Sequence, residues 1–103
     1  MSFTIDKLIK TIRSRKGSDI KSSYTSFLLS KGKDHCLKKL KEEIIELEEA
    51  VKNRKNIEHE GADVIYHLLV VLESSGINFN DILKELDKRE SQSGFEEKQN
   101  RKT

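Results

Sequence analysis

Eleven consecutive residues, Ala62-Asp63-Val64-Ile65-Tyr66-His67-Leu68-Leu69-Val70-Val71-Leu72, set the tightest constraint on this chain. Wound as a helix, the stretch is apolar around nearly its whole circumference, and such a helix is expected to be buried on most sides. Yet it carries Asp63 and His67, four apart and stacked on one face, and Glu60 joins them three residues before Asp63. An unpaired carboxylate is costly to bury and ordinarily takes up a proton or finds a partner. The fold must give this helix oily neighbours and give its acids a counter-charge.

The rest of the sequence supplies helices as neighbours. Ile5, Leu8, Ile9 and Ile12 have amphipathic spacing and predict a helix over about 5–15. A polar loop with Gly17 follows. A short helix is expected over 24–31, with Ser23 as N-cap, Tyr24, Phe27 and Leu28 on one face, and Gly32 at its end. The third helix is expected over 34–52, then a turn at 53–56. The fourth is expected over 57–74, and the fifth over about 81–89, capped by Asn78 or Asn80. No segment alternates with period two, so the class is all-α, and short connections favour antiparallel neighbours. Residues 1–89 read as one domain. Residues 90–103 are polar without periodicity and read as a frayed or disordered tail.

Apolar residues make up 34% of the chain and charged residues 37%, so the core is thin and a second subunit would help complete it. The formal net charge of +2 argues against a protein that coats nucleic acid. Cys36 is the single cysteine, which excludes an internal disulfide and suits a reducing compartment. With no nearby base on its own helix face it reads as packing. The N-terminus lacks a signal peptide's apolar run, and no apolar run is long enough to span a bilayer. A cytoplasmic location is expected.

On the third helix Glu42, Glu43 and Glu46 form EExxE. Leu40, Ile44, Leu47 and Val51 mark one apolar stripe there, with Glu43 at its margin and Glu46 beside it. Two antiparallel helices that each present carboxylates at i and i+3 make an all-oxygen nest, which suits Mg²⁺ or Mn²⁺ and holds phosphate oxygens and water. Blander readings stand beside this one. EExxE is common on solvated helices, Glu60 suits a helix start, and His67 suits a packed interior.

The run Ser23-Tyr24-Thr25, then Leu28 and Gly32, Lys38-Lys39 leading into Glu42-Glu43-x-x-Glu46, and Glu60-Gly61-Ala62-Asp63-Val64-Ile65-Tyr66-His67-Leu68-Leu69-Val70 resembles the phosphoribosyl-ATP pyrophosphohydrolase family, within the all-α (MazG-like) NTP pyrophosphatases. The resemblance spans residues 5–89. It implies a helical homodimer that cleaves the α–β anhydride of phosphoribosyl-ATP, the second step of histidine biosynthesis. It implies Mg²⁺ held by Glu43, Glu46, Glu60 and Asp63, with Glu42 behind them or on a second ion, and Glu43 or Glu46 as the base. Lys39, Ser23, Tyr24, Thr25 and His67 become candidates for contact with substrate. Four of these also have a structural role open to them: Lys39 pairing with Glu43, Ser23 capping, Tyr24 in the core, His67 orienting Asp63. Lys41 and Gly61 depart from the family pattern, and Gly61 suggests close packing. A pyrophosphatase of other nucleoside triphosphates, or a non-catalytic helical dimerisation module, is the rival reading.

Overall fold

The computed structural model describes residues 2–90, and these form five helices with no strand among them: α1 Ser2–Ser14, α2 Tyr24–Lys31, α3 Lys33–Asn53, α4 Ile57–Ser74 and α5 Phe79–Glu90. The all-α expectation holds, and α2 and α4 fall on the expected residues. The expected tail begins at Glu90, which closes α5 instead; residues 91–103 lie outside the described residues.

Local chemistry explains the boundaries. The Ser26 amide donates to Ser23 Oγ at 3.2 Å, so Ser23 caps α2. One residue, Gly32, separates α2 from α3, with φ 94° and ψ 170°, a conformation essentially closed to L side chains. The α5 start is set by Asn78, whose Oδ1 accepts from the Asn80 amide at 2.9 Å.

The principal contact is the antiparallel α3–α4 hairpin. Its three-residue turn holds Arg54 and Asn56 in the left-handed region, at φ 54° and 59°. The Lys55 amide closes the end of α3 by donating to the Ala50 carbonyl at 3.0 Å.

The core gathers at the other end of the hairpin. Ile12 of α1, Leu28 of α2, Cys36 of α3, and Leu69, Val70 and Val71 of α4 form one buried cluster, with Leu8, Leu40, Tyr66 and Phe79 against it. Leu28 is fully enclosed, which is worth about 1.5–3 kcal/mol for a side chain of its kind. The Cys36 thiol donates to the Leu28 carbonyl at 3.2 Å, and burial pushes it above the usual thiol range; it packs, as expected. Ser26, also buried, ties α2 to the end of α1 by donating to the Arg15 carbonyl at 2.9 Å.

Three expectations about faces need correction. On α3 the inward row is Cys36, Leu40, Glu43, Leu47 and Ala50, whereas Ile44 and Val51 are 47% and 53% exposed. α4 is not enclosed on most sides, because Ile65 and Leu68 also face outward. Tyr24 does not enter the core; from α2 Leu28 is buried in it and Leu29 packs against it, since a two-turn helix presents one narrow edge inward. Gly61 serves no close contact within the chain, as a Cβ there would meet nothing within 4 Å.

Candidate metal centre

The α3–α4 seam changes character halfway along. Beyond Leu40 the inward row of α3 offers Glu43, and the facing row of α4 offers Asp63 and Glu60 in place of valines. Glu43 occupies a heptad position that elsewhere on α3 holds an apolar residue, so its side chain is only 20% exposed. Burial pushes its carboxyl above the usual carboxylate range, and the nearby charges of Asp63, Glu46 and Glu60 push it further in the same direction. Four acids therefore share one electrostatic neighbourhood across two helices.

Their ligand atoms are not equally close. Among the described residues, the group whose donor atoms all lie within 4.8 Å of one another is His59, Glu60 and Asp63. His59 Nε2 stands 3.4 Å from Asp63 Oδ2. Sequence reasoning passed over His59, although its spacing of four from Asp63 was a usable signal. Asp63 thus has His59 directly beside it, while its charge also acts on His67, whose Nε2 lies 4.0 Å from Glu43 Oε2.

Glu60 carries a telling feature. Its Oε1 is buried and has no hydrogen-bond partner. A carboxylate oxygen removed from water and left unpaired is costly. The repulsion within the acid set and the orphaned oxygen both fit a hard divalent cation, which would offset the first and coordinate the second.

The other expected residues lie on the α2 side of the acids. Lys39 pairs with Glu42 at 3.0 Å, not with Glu43, because Glu43 points into the seam while Glu42 faces outward. The pairing raises the Lys39 ammonium and lowers the Glu42 carboxyl from their usual ranges. His67 is buried, its Nδ1 is unpartnered, and burial lowers its imidazole below the usual range. Its ring meets Tyr66 edge-on at 5.0 Å and Tyr24 at 6.3 Å. Tyr24 is 53% exposed and stacks on Phe27. The Thr25 and Tyr66 hydroxyls bond to each other, fastening α2 to α4. Aromatic rings thus form a shelf on one side of the acids, with Lys39 at its rim.

Comparison with known proteins identifies the family. A family model described as phosphoribosyl-ATP pyrophosphohydrolase matches residues 5–90. The chain is 45% identical over 100 residues to the phosphoribosyl-ATP pyrophosphatase of Paracoccus denitrificans, covering 95% of this chain and 93% of that one. It is 47% identical over 100 residues to that of Roseobacter denitrificans, covering 95% of each. It is 46% identical over 102 residues to phosphoribosyl-ATP pyrophosphatase 1 of Bradyrhizobium diazoefficiens, covering 97% and 96%. Among the described residues no helix is long and apolar enough to cross a membrane.

Proposed function

The chain belongs to the phosphoribosyl-ATP pyrophosphohydrolase family, and from that premise we propose that it hydrolyses phosphoribosyl-ATP to phosphoribosyl-AMP and pyrophosphate, the second step of histidine biosynthesis. The observation that carries the site is the meeting of Glu43, Glu46, Glu60 and Asp63 across one helix seam, with a buried Glu60 oxygen that has no partner.

These four acids hold Mg²⁺, or Mn²⁺ in its place. When bound, the ion supplies positive charge to the phosphate oxygens and to the departing pyrophosphate. The residues of the chain do the rest. A water oxygen attacks phosphorus at the α–β anhydride, the bond to the bridging oxygen breaks, and its electron pair leaves with pyrophosphate. Glu43 or Glu46 accepts the proton of the attacking water. Glu42 holds Lys39 at the rim, where its ammonium meets phosphate. His67 buttresses Glu43 from the buried side. Tyr24 offers a flat exposed ring to the purine, Ser23 caps the helix that carries it, and Thr25 steadies that helix through Tyr66.

The exposed row Leu37, Ile44 and Val51 on α3, with Ile65 and Leu68 on α4, supports a homodimer formed through the outer face of the hairpin. The enzyme works as such a dimer in the cytoplasm.

The test is turnover of phosphoribosyl-ATP with and without Mg²⁺, beside Glu46→Gln and Asp63→Asn. Loss of roughly 10²-fold or more in either variant is expected. Rates near wild type in both would remove the site, and faster hydrolysis of ordinary deoxynucleoside triphosphates would replace the substrate.

A further inference from the structure

At the tip of the hairpin lies a groove of about 230 Å³, bordered by Glu46, Ala50, Asn53, Lys55, Asn56 and Glu60 together with Glu49. Glu46 and Glu60 belong to the acid set, so the groove opens directly from the candidate centre. Its remaining polar groups are the Glu49 carboxylate, two side-chain amides and one ammonium.

We propose that this groove is the subsite for the departing pyrophosphate, and that Lys55 is the residue that contacts it. The proposal rests on the function given above. That substrate has unlike ends, a purine and a chain of phosphates, and so has the site. The side bearing Tyr24, Phe27 and Tyr66 is aromatic, which suits a flat base. The tip side sets three carboxylates beside the Lys55 ammonium and the amides of Asn53 and Asn56, so it offers phosphate oxygens donors once a cation offsets its acids.

Lys55 is placed for that task. Three carboxylates share its groove, yet among the described residues none is ion-paired with it. Its backbone is fixed, because its amide donates to the Ala50 carbonyl at 3.0 Å. The side chain therefore leaves the turn from a set point, and its ammonium is available to an incoming anion. Without a cation the groove's own acids repel pyrophosphate. With one held at Glu46 and Glu60, that repulsion is offset and Lys55 supplies the second positive contact. Pyrophosphate binding is accordingly coupled to Mg²⁺.

The experiment uses the full chain and inorganic pyrophosphate as the probe. Pyrophosphate inhibition of turnover and its calorimetric binding with and without Mg²⁺ are measured in wild type, Lys55→Ala and Lys55→Glu. The inhibition constant is expected to rise about tenfold in Lys55→Ala, the loss of one charge-assisted hydrogen bond, and further in Lys55→Glu. Inhibition by phosphoribosyl-AMP and the Mg²⁺ affinity stay unchanged. Unaltered pyrophosphate inhibition in both variants overturns the subsite, as does an equal weakening of phosphoribosyl-AMP. A wild type that binds Mg²⁺-pyrophosphate but fails to turn over phosphoribosyl-ATP sinks the assigned activity and leaves the subsite standing. Normal turnover with pyrophosphate inhibition untouched by Lys55 does the reverse.

Discussion

Along the α3–α4 seam, Cys36 shares a dry cluster with Val70 at one end, while Glu43 meets Asp63 and Glu60 at the other. Both ends are built on the same inward row of α3. The first end excludes water and gains from it. The second places acids where the helix geometry wants apolar residues, a cost to the folded chain that a bound cation would offset. One end therefore carries the stability of the hairpin, and the other, the proposed reaction centre, is built at the expense of stability.

Substitutions can separate the two ends. The largest effect is expected at the acidic end. Asp63→Asn should slow turnover by about 10²–10⁴-fold while circular dichroism and the apo melting temperature hold steady; a collapsed spectrum would mean that the acid serves the fold. At the dry end, Leu28→Ala should cost about 2–5 kcal/mol in urea unfolding, with kcat per folded molecule preserved. Saturating Mg²⁺ should raise the wild-type melting temperature, by up to ~2.7 kcal/mol of stability at a hundredfold excess over Kd, and Glu60→Gln should abolish that gain.

Glu43 gives a subtler test. Its folded carboxyl sits above the usual range, so the folded chain binds its proton more tightly than the unfolded chain does. The resulting penalty is absent below the unfolded value and grows as pH rises through the folded one. Without metal, Glu43→Gln should therefore melt higher than wild type at neutral pH and match it near pH 3; with Mg²⁺ it should lose activity. The smallest effect belongs to Gly61. With nothing within 4 Å of a Cβ there, Gly61→Ala should stabilise the chain by roughly 0.5–1 kcal/mol. A destabilisation would show that a second subunit covers that spot.

Helix periodicity made much of this legible in the sequence. The limits of α2 and α4 followed from Ser23, Gly32 and the apolar run after Ala62. The gathering of Glu60 and Asp63 on one face followed from their spacing. What periodicity cannot supply is the number of neighbours around a helix. It gave Ile44, Val51, Ile65 and Leu68 their angles but not their exposure, and it set Glu43 at a margin that proves to be the inward row. Ser26 bonding to Arg15, and Tyr66 to Thr25, join segments distant in the chain and leave no local trace.

The aromatic shelf is carried by α2, and α2 is joined to α3 through Gly32 alone, at φ 94° and ψ 170°. Reflected, those angles are ordinary extended backbone for an L residue, so this link has the stereochemistry of the opposite hand. L-alanine at that point should swing Tyr24 away from His67, whereas D-alanine, introduced by chemical ligation, should leave the ring in place. The aim of the Tyr24 ring thus hangs on the handedness of the backbone at a single residue.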